Sequence, residues 1–169
     1  DELGFTMADF DNGKPVSHEG AILVKRFVIA NGVLDNDGII SLSKLKTHGL
    51  TRFTGAVKNQ FGCIPGIQKG QHHVKTPDPY DFATMLVDLN TLIKPRLCIM
   101  DGIMAMEGNG PGRGGKPKKL GVLLFSSDPV ALDSVACKII DLDPELVPTS
   151  KPGEQSGLGT YHYENIELV

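Results

Sequence analysis

The segment from Ser41 to Gly66, SLSKLKTHGLTRFTGAVKNQFGCIPG, combines basic side chains with hydrogen-bonding groups and contains no Asp or Glu. Its basic and amide-bearing residues include Lys44, Lys46, His48, Arg52, Lys58 and Asn59. A solvent-exposed charged surface usually mixes acids with bases, and this chain has a net charge of -3. The segment lies where a predicted strand gives way to a predicted helix. Because helix N-terminal amides and nearby cations act together on anions, this arrangement is typical of an anion-binding site.

The same residues also fit a simpler interpretation. Lys44 and Lys46 are two residues apart, so both side chains point to one face of a strand, where lysine commonly protects a sheet edge. Lys58 and Asn59 can lie on the exposed side of a short helix. Their spacing alone therefore leaves both a binding site and an ordinary solvated edge open.

Three aspartates are candidates for a role in the chemistry. Asp101 follows the apolar run RLCIM, and a carboxylate at a strand end is a frequent active-site arrangement, although Asp-Gly also forms turns. Asp128 precedes Pro129, which is typical of a helix cap followed by proline at the first helical position. Asp133 lies one turn inside that helix, where it can face either the site or the solvent.

A glycine-rich segment, EGNGPGRGGKPKK at 107–119, places five glycines around Asn109 and Arg113. Glycine exposes backbone N–H groups that can form an anion-binding nest. The segment matches neither the nucleotide P-loop nor the dinucleotide fingerprint. It is predicted to be irregular. It is either a mobile surface loop or an anion-binding nest. A loop that is mobile when empty and becomes ordered over a bound anion would combine the two.

Strands alternating with helices predict one α/β domain, with a mixed or largely parallel sheet and helices on both faces. The clearest predicted helix covers residues 81–94 and begins at Asp81, and another begins at Asp128-Pro129. A short helix is expected over 53–61 and a loop over 63–79. Strands are expected at 21–30, 38–42, 96–100 and 121–126, and from residue 165 onwards. In such sheets ligands bind beyond the carboxyl ends of strands, which would bring Lys46, His48 and Asp101 together with Asp128.

Composition limits the classes of function. With 169 residues the chain fits one domain with a real core. Its mild acidity argues against nucleic acid as a partner, and no apolar run approaches a membrane span. Three isolated cysteines form neither a disulfide framework nor a zinc or iron–sulfur ligand set. The sequence therefore predicts a cytoplasmic protein with free thiols and no tightly bound structural metal.

Several motifs in order resemble the domain-of-unknown-function 362 family, whose members are often joined to ferredoxin-type iron–sulfur modules. The resemblance runs from about Val33 to the end of the chain, with Ser43 standing where proline is expected. It rests on VLDNDGIISLSKLKTH (33–48), TGAVKNQFGCIPG (54–66) with Lys69 and His73 behind it, IMDGIMAMEGNGPGRGG (99–115), SSDPVALDSVACKII (126–140) and GLG (157–159).

The resemblance implies a single polar site and a redox setting. The residues implied are Lys46, His48, Lys58, Asn59, His73, Asp101, Glu107, Asn109, Asp128 and Asp133. The clustered cysteines of a ferredoxin module are absent from the sequence. Any 4Fe-4S clusters would therefore belong to a neighbouring domain, and the chain would be an excised part of a longer protein.

Two functions of different class follow. In the first, an enzyme domain binds a small carboxylate or phosphate ester through Lys46, Lys58 and the glycine-rich segment. His48 or Asp101 would then move a proton, and Glu107 would act as a second acid or base or as a metal ligand. In the second, a non-catalytic domain docks a ferredoxin-type partner through a basic surface. A concave site containing Lys46, His48, Lys58 and Asp101 would favour the first, and a flat basic surface the second.

Overall fold

The computed structural model describes residues 3–169 as an α/β domain built on a mixed sheet. The strands are β1 (Gly13–Ser17), β2 (Arg26–Ala30), β3 (Ile40–His48), β4 (Arg52–Thr54), β5 (Leu97–Asn109) and β6 (Gly114–Ser126). The α-helices are α1 (Asn31–Leu34), α2 (Ala56–Asn59), α3 (Gly66–Lys75), α4 (Pro79–Ile93), α5 (Pro129–Ile139) and α6 (Ser150–Gln155). Short 3-10 turns occupy Gln60–Cys63, Pro144–Leu146 and Tyr163–Asn165. None of the described helices is long and apolar enough to cross a membrane.

The main sheet has the strand order β4-β3-β5-β6. The central pair, β3 and β5, is parallel, while β4 and β6 pair antiparallel at the two edges. A separate antiparallel hairpin consists of β1 and β2. The predicted α/β class with a mixed sheet is therefore confirmed.

The core lies on one side of the main sheet. Leu45, Cys98 and Met100 point from the sheet towards Leu132 and Ala136 of α5. A second cluster joins α4 to the 3-10 turn after α2 and to the β1–β2 hairpin. Helices were predicted on both faces, but the described residues place them against one face only. The outward-facing side chains of the other face remain exposed.

The glycine-rich segment corrects one prediction, because it forms the end of a β-hairpin instead of an irregular loop. Gly108 pairs with Gly115 and Asn109 with Gly114 across β5 and β6. Ladder hydrogen bonds join backbone groups, so glycine strands can pair without a side-chain pattern that the sequence would reveal. The same extension places Asp101 inside β5 and not at a strand end, since the strand continues to Asn109 after an irregular register at Gly102–Met104.

The observed helix and strand boundaries correct several further predictions. The predicted loop at 63–79 contains α3, none of whose residues is buried. Helix α4 begins at Pro79, and its cap is Asp78, whose side chain accepts from the N–H groups of Tyr80 and Asp81. The helix predicted over 53–61 is divided among β4, the short α2 and the 3-10 turn at Gln60–Cys63. Of the strand predicted over 21–30, only the second half is a strand. Residue 165 ends a 3-10 turn instead of opening a strand. The helix predicted after Asp128 is confirmed as α5.

Candidate functional site

A cleft of about 240 Å³ collects much of the acid-free segment, and we call it the basic cleft. Strand β3 supplies two of its residues, α2 two more and α3 one, while the β5–β6 turn closes one side. Gly110 N–H donates to the Thr47 hydroxyl at 3.1 Å, which holds that turn against β3. No Asp or Glu lines the cleft among residues 3–169. Its lining is Lys46, His48, Thr54, Lys58, Asn59, Phe61, Gly62, Lys69 and Pro111.

The three lysines of the basic cleft make no ion pair within the described part of the chain. The Lys58 ammonium lies 5.1 Å from the centre of the Phe61 ring, a cation–π contact. Burial, together with the charges of Lys46 and Lys69, lowers the pKa of Lys58 to about 8. The ligand-free cleft therefore holds mutually repelling cations that a bound anion would stabilise.

His48 is positioned as a neutral hydrogen-bond donor. Its Nδ1 atom accepts from the N–H groups of Leu50 at 3.2 Å and Thr51 at 3.4 Å, so the proton of the neutral ring is on Nε2. Burial, followed by the charge of Lys58, lowers the pKa of His48 to about 4. At neutral pH the ring is uncharged and has Nε2–H to offer a ligand. It is poorly suited to accept a proton there.

Thr54 is a component of the basic cleft that the sequence did not single out. Its side chain is only 5% exposed, and its hydroxyl has no hydrogen-bond partner within residues 3–169. In the strand register it lies directly opposite Lys46. A buried hydroxyl without a partner is costly, and a ligand oxygen in the cleft would satisfy it. Its position in the acid-free segment, two residues before α2, was the available signal.

Asn59 and His73 have contacts that limit their roles. The Asn59 amide donates to the Ser41 hydroxyl at 2.9 Å and to the Leu42 carbonyl at 3.1 Å, joining α2 to β3. The His73 ring stacks on Phe82 with centroids 4.8 Å apart and is not part of the cleft lining. Asn59 therefore positions α2 beside the cleft, and His73 packs nearby.

The start of α2, predicted to bind the anion, is already occupied by a carboxylate of the protein. Asp133 on α5 accepts from the N–H of Ala56 at 2.5 Å and of Val57 at 3.2 Å. Burial raises its pKa to about 7, although both N–H groups favour the ionised form. A Cβ atom on Gly55 would lie 2.1 Å from an Asp133 oxygen, so only glycine fits there. Asp133 fastens α2 to α5 and faces neither the cleft nor the solvent.

Asp128 is likewise taken up by the fold. One carboxylate oxygen accepts from the N–H groups of Val130 and Ala131, both at 2.8 Å, and so caps α5. The other accepts from Thr160 N–H at 3.0 Å, which ties the C-terminal segment to the helix. A Cβ atom on Gly159 would overlap this carboxylate, which explains the last glycine of the GLG motif.

The remaining acids lie outside the basic cleft. Asp101 pairs with Lys44 at 2.5 Å, and the hydrogen bond from that lysine is the main cause of its lowered pKa. Glu107 pairs with Lys118 at 3.3 Å in a larger, mainly apolar groove of about 540 Å³, which lies between the β5–β6 hairpin, β3, β4 and the end of α5 and which Lys46 also lines. Asn109 lies at the end of β5 opposite Gly114. The structure therefore brings Lys46, His48, Lys58 and Asn59 together in the basic cleft, and Glu107 shares only the larger groove with Lys46. Asp101 is in neither.

A second buried acid that the sequence did not reveal has a structural role. Asp88 of α4 is 1% exposed and accepts from the N–H groups of Ile22, Leu23 and Val24 at 2.7–2.8 Å.

Within residues 3–169, no group of three or more His, Cys, Asp or Glu side chains could hold a metal ion, and the three cysteines are buried.

Comparisons with known proteins agree with the motif resemblance. The family described as "Domain of unknown function (DUF362)" matches residues 1–138, which includes the N-terminal part that the motifs did not cover. The thylakoid-associated protein sll1697 of Synechocystis sp. is 44% identical over 131 residues, which are 77% of this chain and 40% of that protein. The chain thus spans less than half of this curated relative. No solved structure matches. The chain belongs to the DUF362 family of domains of unknown function.

Proposed function

We propose that the basic cleft binds a small anionic compound, a carboxylate or a phosphate ester. The observation that carries this proposal is the convergence of Lys46, Lys58 and Lys69 in one cleft without an acidic residue in the described lining. Among the described lysines only Lys44 and Lys118 have a carboxylate partner, so the distinguishing feature of the cleft is the grouping of three unpaired lysines and not the lack of a partner for any one of them. The cleft therefore holds cations for which the fold itself supplies no counter-charge.

The neutral groups of the basic cleft support the same proposal. His48 Nε2–H and the Thr54 hydroxyl add two donors to the three ammonium groups. Each charge-assisted hydrogen bond contributes roughly 1.5–3 kcal/mol before desolvation is subtracted. The volume of about 240 Å³ is below the roughly 300–1,000 Å³ typical of drug-sized ligands, which favours a small acid.

The geometry favours ligand binding over the other roles considered. The choice of a small ligand over a ferredoxin-docking surface rests on the lining of the cleft, because the cleft is open to solvent. His48 is held as a neutral donor, and Asp101 and Glu107 lie in ion pairs elsewhere, so proton transfer by these three residues lacks geometric support. Iron–sulfur association, a ferredoxin-type partner and a cytoplasmic location remain predictions from the sequence. The curated relative is named only as thylakoid-associated.

The test compares Lys46→Ala with Lys151→Ala, which removes an exposed lysine on α6 remote in sequence from the cleft residues. Sulfate, phosphate and small carboxylates are titrated by calorimetry, with thermal unfolding as the check on folding. Lys46→Ala should weaken binding by about tenfold, which corresponds to about 1.4 kcal/mol, and Lys151→Ala should not. Equal affinities in the wild type and a well-folded Lys46→Ala would remove Lys46 from the site. The absence of binding by the wild type would overturn the proposal.

A further inference from the structure

The face of the main sheet that carries no helix is apolar and exposed. Its rows follow from the strand register, in which Ile40 pairs with Leu97, Leu42 with Ile99, and Ile99 with Phe125. Leu123 lies in the next row, opposite Asp101. We call these six apolar residues the open sheet face: Ile40, Leu42, Leu97, Ile99, Leu123 and Phe125.

The exposure of the open sheet face is high for residues of this type. Leu42 is 70% exposed, Ile40 61%, Phe125 58% and Leu123 48%, while Leu97 and Ile99 on the strand between them are half-buried. Soluble proteins seldom expose a contiguous apolar patch of this kind unless another surface binds to it. The Lys44–Asp101 ion pair adjoins the patch at one end. The face therefore has an apolar centre with a charged border, the usual arrangement of a protein interface.

The sequence of the strands points to the same conclusion. Strands with one solvated face alternate apolar and polar residues, whereas strands buried on both faces read as continuous apolar runs. The runs LCIM in β5 and VLLF in β6 are of the second kind. One side of the β5 run is already buried, with Cys98 and Met100 both 0% exposed, and on the same side of the β6 run Leu124 is partly buried against the core. The other side has the composition of a buried surface, and residues 166–169 lie beside it only at Leu123 and Phe125. No helix of residues 3–169 covers it.

We propose that the open sheet face is covered by a helical layer from further polypeptide of the same protein, so that the sheet becomes the middle layer of a three-layer α/β domain. The curated relative supports this choice of occupant. The region similar to this chain makes up 40% of that protein, which leaves more than half of its length to supply such a layer. A helical layer is expected because sheets with a parallel pair such as β3–β5 are commonly covered by helices on both faces. This proposal is independent of the basic cleft.

The test is thiol labelling of the complete gene product. The native cysteines are buried, so a slow-labelling background is expected from them. Leu42→Cys and Phe125→Cys each place one thiol on the open sheet face, and Glu145→Cys places one on an exposed turn as the control. Circular dichroism confirms that each variant is folded. Two positions on different strands keep the test valid if one variant does not fold.

The expected result is labelling at positions 42 and 125 at least tenfold slower than at position 145, at every protein concentration. Labelling of a folded monomer as fast as the control would overturn the proposal. Protection that disappears on dilution would also overturn it, because the cover would then be a second copy of the chain and not further polypeptide of the same one.

Discussion

The basic cleft and the pair Asp128 and Asp133 contain residues predicted to form one polar site. They differ in whether the protein itself supplies partners for their polar groups. The carboxylate oxygens of both aspartates accept hydrogen bonds from backbone N–H groups of α2, α5 and the C-terminal segment. The cleft lysines have no carboxylate partner in the described chain, and the Thr54 hydroxyl has no partner. Polar groups that the fold satisfies hold the structure together, and those it leaves unsatisfied are candidates for binding.

The comparison predicts its largest effect at Asp133. Asp133→Ala leaves the buried N–H groups of Ala56 and Val57 without an acceptor, at a cost of roughly 1–3 kcal/mol for each donor. The free energy of unfolding, measured with urea, should fall accordingly. The control is Asp81→Ala in the exposed first turn of α4, which loses only a helix-dipole contribution of about 0.3–1 kcal/mol. Equal stability of the two variants would show that Asp133 does not fasten α2.

A smaller effect of different kind is expected at Thr54. Because its buried hydroxyl has no partner in the described chain, Thr54→Val should leave the stability of the anion-free protein unchanged or raised. The same change should weaken sulfate binding about tenfold, equivalent to about 1.4 kcal/mol. Thr76→Val is the matched control, since that buried hydroxyl donates to the His72 carbonyl at 2.7 Å. The control should lose stability and keep its affinity, and the opposite pattern would remove Thr54 from the site.

The pKa of Lys58 predicts a pH dependence of several-fold. A bound anion favours the ammonium form of Lys58. Above pH 8 the free protein has lost the Lys58 proton, so Lys58 must take up a proton when the anion binds. Sulfate affinity should be constant from about pH 6 to 7.5 and fall as the pH rises from about 8 to 10. Because the pKa of His48 is lowered to about 4, no further step is expected near pH 6.5. Calorimetry across this range checks both features. In Lys58→Met the fall above pH 8 should be absent, and its persistence would assign the titration to another group.

The sequence predicted the elements that carry an apolar pattern. Helix α4 was found from its apolar stripe, and α5 from its cap and proline, because burial dictates those residues. Helix α3 was missed because its glycines and the flanking prolines were taken as loop signals, and the β5–β6 hairpin because its glycines pair through the backbone alone. These two errors hid α3 as the source of Lys69 and the hairpin turn that closes the cleft.

The candidate site was predicted only where composition was unusual. The missing acids between Ser41 and Gly66 drew attention to Lys46, His48 and Lys58, which line one cleft, but Asp101, predicted to lie with them, is not in that cleft. Residue type could not show that Asp133 would occupy the start of α2 from another helix, since its hydrogen bonds to α2 span 76 and 77 residues. Thr54 was missed because an unsatisfied hydroxyl is a property of packing.

The most direct measurement of the central claim is the stability of Lys46→Met/Lys58→Met with and without sulfate. Methionine keeps most of the apolar volume of the two lysine side chains and removes both charges from the cleft, together with the cation–π contact of Lys58 on Phe61. Without anion, the double variant should be as stable as the wild type or more stable, by up to about 1 kcal/mol, because repulsion is relieved. Sulfate should raise the unfolding temperature of the wild type and leave that of the double variant unchanged. An equal rise in both proteins would contradict the assignment of the basic cleft as an anion site.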